Sequence, residues 1–306
     1  MISLRYHAVS IAAVFLALAM GVVLGASGVS DRLLSAVSTK ADDLGGQVQT
    51  LTAERDALAA GQRASDEFAR RIGPAAVRGL LQGRTVALVT SGAEPADRDA
   101  VLALLGPAGA TVTGEIALTQ AVGDPARADQ LRELTSQLLP AGAQLPAASD
   151  TGSLMGGLLA GVLVPSSGQV AAGQADAVLT GLSSAGFVAP GDRPRPSDLV
   201  LVLTGGAIPG VDGGDAAAVI ARLAAQLDRA GRGAVLAGRA GSADATGAVG
   251  VARADPNITA SLSTVDDVHT GPGQVSAVLA LREQLDGRAG RYGTAVTAAD
   301  GAAPAA

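Results

Sequence analysis

The chain has 306 residues, a formal charge of −6 and no cysteine or tryptophan. The negative balance argues against nucleic acid as a partner. The absence of thiols excludes disulfides, thiolate catalysis and cysteine-ligated metals.

The run from Ala8 to Val29, AVSIAAVFLALAMGVVLGASGV, carries no charge. At ~1.5 Å per residue it is long enough to cross a ~30 Å hydrocarbon core as one helix. Arg5 precedes it, and Asp31 and Arg32 follow it. A cleaved secretory signal has the same layout, and Gly25 and Ser27 supply a small-x-small pair for cleavage. The apolar core is longer than the ~7–15 residues of a typical signal, which favours an uncleaved signal-anchor. Either reading exports the rest of the chain. Arg5 then stays on the cytoplasmic side by the positive-inside tendency. Ala13, Ala17, Gly21 and Gly25 recur every four positions on one helix face. A stripe of small residues lets two membrane helices approach closely, and Gly21 and Gly25 form a GxxxG pair.

A helical stalk is expected over residues 30–72. Val37, Leu44, Leu51 and Leu58 repeat at seven, as d positions. Leu34, Ala41, Val48 and Arg55 stand at the matching a positions. This is the seam of a two-stranded coiled coil, although Ala41, Arg55 and Gly45-Gly46 weaken it. The alternative is a single amphipathic helix folded back on its own domain.

After Ile72-Gly73-Pro74, apolar strands alternate with amphipathic helices. Strands are expected at Arg84–Thr90, Gly109–Leu118, Leu199–Thr204, Ala234–Gly238 and Ser261–Val265, with a short edge strand at Ala248–Val251. Helices are expected at Asp97–Leu105, Ala126–Leu139, Gly152–Leu163, Val170–Ala185, Asp215–Arg229 and Gln274–Leu285. Pro165–Gly168 and Pro190–Pro196 read as loops. The pattern implies an α/β domain over residues 80–292 with a mostly parallel sheet. It argues against a transmembrane β-barrel, which needs alternating strands and aromatic girdles. The Ala/Gly-rich tail, 293–306, is expected to be flexible. Residues 1–7 form the cytoplasmic N-terminus.

In open α/β sheets, ligands sit beyond the carboxyl ends of the strands. Three such ends carry polar or glycine-rich residues: Thr90-Ser91-Gly92, Thr204-Gly205-Gly206 and Thr264 with Asp266-Asp267. Turn formation and capping explain the same residues without a ligand. No dinucleotide fingerprint, Walker A motif, nucleophile elbow or His-Glu-x-x-His is present. The chain is therefore read as a non-enzyme without a resident cofactor. Asp266, Asp267 and His269 form the one compact acid–imidazole cluster, and they could hold a divalent ion if their side chains converged. The soft ligands suited to Cu(I) are limited to Met1, Met20 and Met155.

Several stretches carry a resemblance. They are MISLRYHAVSIAAVFLALAMGVVLG (Met1–Gly25), QVQTLTAERDAL ending at Leu58, LVLTGGA (Leu201–Ala207), STVDDVHTGPGQVSAVLAL (Ser263–Leu281) and RYGTA (Arg291–Ala295). Together they resemble the mycobacterial copper-transport protein B family along nearly the whole chain. The resemblance implies an actinobacterial cell-envelope protein that limits intracellular copper, with copper as a transported ion and with outer-envelope placement. One membrane helix cannot form a path alone, so transport would require several copies. Ala17, Gly21, Gly25, Val37, Leu44, Leu51 and Leu58 are the candidate self-association residues. The alternative is a membrane-tethered scaffold that contacts other envelope proteins and transports nothing.

Overall fold

A computed structural model describes residues 4–26, 29–139, 150–164 and 172–305. The chain divides into two compact units, Met1–Gln62 and Arg63–Ala306.

The first unit is helical. Helix α1 spans Leu4–Ala26 and is long and apolar enough, over Arg5–Val23, to cross a membrane. It starts earlier and stops sooner than the Ala8–Val29 run; Ser27 lies outside the described residues. Helix α2, Val29–Ala76, begins in this unit and ends in the second.

The last turns of α2 belong to the second unit and run past the stop expected at Ile72-Gly73-Pro74. Gly73 explains the extension. A Cβ there would lie 2.9 Å from Val275 and 3.4 Å from Leu104, so the missing side chain lets α2 pack closely. Asp66 Oδ1 also accepts a 2.8 Å bond from the Gly271 N–H.

The rest of this unit contains β1 (Thr85–Ser91), α3 (Pro95–Leu105), β2 (Thr111–Leu118), α4 (Ala128–Gln137), α5 (Thr151–Leu163), α6 (Ala172–Ser184), β3 (Leu199–Thr204), α7 (Gly213–Ala230), β4 (Ala234–Gly238), α8 (Ala248–Ala254), α9 (Pro256–Thr259), β5 (Ser263–Val265), α10 (Gly271–Gln284) and β6 (Arg291–Tyr292). Two short 3₁₀ turns precede α4. The loop expected at Pro165–Gly168 lies outside the described residues.

The six strands form one sheet in the order β2-β1-β3-β4-β5-β6, and every neighbouring pair is parallel. Strand β3 is buried along its whole length, as a central parallel strand must be when both faces are covered. Its side chains alternate between two cores. Val200 and Val202 join the helices α5, α6 and α7, while Leu199, Leu201 and Leu203 join α3 and α10. Each fully buried Leu or Val contributes roughly 1.5–3 kcal/mol relative to exposure.

One expectation needs correction. Ala248–Val251 is helical, the first turns of α8, and not an edge strand. Gly247 and Gly250 permit this, since a Cβ at either would lie 2.1 Å from a carbonyl of the preceding turn, on Ser242 and Asp244. The stretch after Gly293, expected to be flexible, makes contacts with the rest of the unit. Tyr292 bridges to Gly301, the Gly293 N–H donates to Gly301 O at 2.7 Å, and Ala303 is buried in the α3/α10 core.

Candidate functional site

The chain leaves β1 for β2 at one edge and returns to β3 on the other side of β1. This reversal places a crevice beyond the carboxyl ends of β1 and β3, where α/β sheets bind ligands. The crevice has a volume of about 480 Å³. Two of the strand ends singled out in the sequence meet there. Ser91 and Thr204 are register partners, so their side chains share the α7 face of the sheet. Gly92, Gly205 and Gly206 complete the rim. The close approach requires glycine: a Cβ on Gly205 would lie 2.6 Å from Gly92 O. Leu118 and Ile220 supply apolar walls. Thr90 does not take part. It points to the opposite face, where its hydroxyl donates to Glu115 at 2.8 Å beside Arg98.

The third strand end, after β5, is built differently. Asp266 is buried and paired with Arg253, Nη1 to Oδ2 at 2.5 Å, both side chains being almost fully enclosed. It also accepts backbone N–H bonds from Thr294 at 2.8 Å and Ala295 at 3.2 Å. Arg253 spends its other donors on Thr264 Oγ1, the Tyr292 carbonyl and Thr297 Oγ1. The adjoining Tyr292 hydroxyl donates to Glu283. Burial, and then this bond, hold the phenol proton above the ordinary tyrosine range.

Asp267 is buried too, with Oδ2 accepting from Thr270 Oγ1 at 3.4 Å and Oδ1 lacking a partner among the described residues. His269 is exposed, and its Nδ1 accepts from the Ala240 N–H at 3.2 Å. The three side chains of the expected metal cluster therefore have separate commitments. Among the described residues, no group of three His, Asp or Glu side chains is placed to hold a metal ion. The physical reason is alternation: successive residues leaving a strand face opposite ways, and a buried arginine already neutralises Asp266. Sequence reasoning missed Arg253, because it falls just beyond a segment read as an edge strand.

Burial raises the Asp267 carboxyl above the usual aspartate range, and the Asp266 charge adds to the effect. The folded chain therefore keeps this proton at a pH where the unfolded chain, with an ordinary value near ~3.9, has lost it. Stability falls as pH rises from there through the raised value. Asp267→Asn is expected to be more stable than the parent at pH 7 and to show no gain below about pH 3.5. Urea midpoints measured across that range check this.

In the first unit, Ala17, Gly21 and Gly25 stand on exposed surface of α1, with nothing within 4 Å of a Cβ placed at either glycine. Val37, Leu44, Leu51 and Leu58 are exposed along α2. Met20 is exposed on α1, and Met155 is buried within α5.

Residues 1–303 match the protein family described as "Copper transport outer membrane protein, MctB". The chain belongs to the MctB family. It is 42% identical over 304 residues to the copper transporter MctB of Mycobacterium tuberculosis and to that of Mycobacterium bovis, covering 96% of each chain. It is 39% identical over 306 residues to the MctB of Mycobacterium leprae, again covering 96% of each. The family resemblance read from the sequence is thus correct. These MctB relatives carry the name of a transporter and not of an enzyme, in keeping with a non-catalytic chain. Family and apolar helix together make this a membrane-associated protein of the cell envelope.

Proposed function

We propose that the protein limits cellular copper by export or tolerance, acting as an oligomer anchored through α1. The observation that carries this reading is the end-to-end identity with proteins named copper transporters. A single apolar helix cannot enclose a path, so copies must assemble, and copper is the transported ion. The C-terminal unit then lies outside the cytoplasm, with Arg5 on the inner side. Deleting the gene in its own host should raise cell-associated copper and lower copper tolerance, and the intact gene should restore both. Unchanged copper and growth would overturn the reading.

Self-association is assigned to the stripe Ala17, Gly21, Gly25 on α1 and to the heptad seam Val37, Leu44, Leu51, Leu58 on α2. The seam is supported by its exposure, since apolar side chains at seven-residue spacing gain by burial against a copy of themselves. The chain has no cysteine, which makes a clean test available. Leu51→Cys should cross-link to itself under mild oxidation in membranes, and Ala53→Cys, on the outer face of the heptad, less well. Equal yields at both positions, or none, would remove the parallel seam.

One observation favours a second reading, a tethered scaffold. Beyond Arg5, Tyr6 and His7 at its start, α1 has no ionisable side chain to line an ion path. Crosslinking in cells would then find one dominant protein partner, with copper handling unaffected by deletion.

A further inference from the structure

The crevice between the ends of β1 and β3 belongs neither to the membrane helix nor to the seam. Its chemistry is distinctive in three respects. Among the described residues, no charged side chain lines it. Thr204 is only 4% exposed, yet among the described residues its hydroxyl has no partner within the chain. The Ser91 hydroxyl beside it is likewise unpaired, as are the backbone N–H groups of Gly92 and Gly206. Donors with no partner in the chain open onto the crevice and are available to a ligand. The opposite wall is apolar, formed by Leu118, Ile208 and Ile220. A volume of about 480 Å³ lies within the range of small-molecule sites.

We infer that this crevice binds a small neutral amphiphile with a carbonyl head, such as a short acyl amide. The carbonyl oxygen accepts from the Ser91 and Thr204 hydroxyls. The hydrocarbon part lies along Leu118, Ile208 and Ile220. The absence of any Lys or Arg among the described lining residues leaves a phosphate's charge without a cation to offset it. The absence of Asp, Glu and His disfavours a metal ion. An ammonium head would bring a charge that no carboxylate on the lining offsets.

The test uses the full chain in detergent, with isoleucine methyl groups labelled for NMR. Hexanamide is the probe and hexylammonium its donor-only counterpart. Ile208 and Ile220 sit at the crevice, Ile258 is buried in the α5/α7 core away from it, and Ile11 on α1 reports partition into the micelle. Hexanamide should shift Ile208 and Ile220 saturably and leave Ile258 unmoved, whereas hexylammonium should not. The paired change Ser91→Ala with Thr204→Val, near-isosteric and checked for an unchanged melting temperature, should weaken hexanamide about tenfold. Three results would overturn the site: no saturable shift at Ile208 and Ile220, equal shifts from both probes, or undiminished binding in the folded double variant. If the double variant does not fold, Ser91→Ala alone carries the same comparison. None of these outcomes bears on copper handling, so the site stands or falls separately from the transport reading.

Discussion

Replacing Arg253 with methionine is expected to destabilise the C-terminal unit by about 3–5 kcal/mol. The guanidinium is enclosed and holds β5, β6 and the C-terminal stretch together through Asp266, Thr264 Oγ1, the Tyr292 carbonyl and Thr297. Removing it leaves the Asp266 carboxylate buried with two backbone N–H bonds and no counter-charge. Losing one partner of a buried pair costs more than the pair itself contributes, because the survivor has been taken out of water without compensation. Arg253→Met combined with Asp266→Leu should therefore recover part of the loss. It should not recover all of it, since the Thr294 and Ala295 N–H groups then lack their acceptor. Urea denaturation of the full chain, followed by circular dichroism, measures both variants. A loss below about 1 kcal/mol for the single change would mean that water reaches Asp266.

Gly156→Leu is expected to prevent folding of the C-terminal unit, and Gly152→Ala and Gly156→Ala to cost about 1–3 kcal/mol each. Alanine in a helix interior ordinarily stabilises by about 1 kcal/mol over glycine, so the expected sign is reversed here. The reason is the crossing of α5 and α7. A Cβ on Gly152 would lie 2.4 Å from Val219 O, and one on Gly156 2.8 Å from Leu223 O. Backbone carbonyls inside a helix cannot step aside as a flexible side chain can. Gly45 and Gly46 in α2 provide the control, because nothing lies within 4 Å of either position. Alanine there should gain up to about 1 kcal/mol of helix stability. Denaturation midpoints of the four alanine variants should fall on opposite sides of the parent. If all four stabilise, the α5–α7 approach is looser than described.

The two kinds of glycine look alike in the sequence. Each sits in an Ala- or Gly-rich helical stretch, and only a neighbouring helix distinguishes them. The same limit applies to the site. The polar and glycine-rich ends of β1 and β3 were legible as candidates, because a ligand crevice follows from parallel strand order. Their meeting at one crevice, and the departure of Thr90 to the other face, depend on register. The acid–imidazole cluster shows the opposite failure. Proximity along the chain suggested a metal set, but Asp266 was claimed by an arginine thirteen residues earlier, which no spacing rule would pair with it.

By itself the sequence determined an apolar helix near the start, a long helix with a seven-residue apolar repeat, and an α/β unit with a buried parallel sheet. Each rests on local periodicity or on runs of β-branched and leucine residues, information carried within a dozen neighbours. Tertiary structure decided that Ala248–Val251 is helix, that the Gly293–Ala303 stretch is docked, and that the aspartates after β5 are structural. A four-residue apolar run fits either strand or helix. A buried carboxylate has its role set by whichever charge the fold delivers to it.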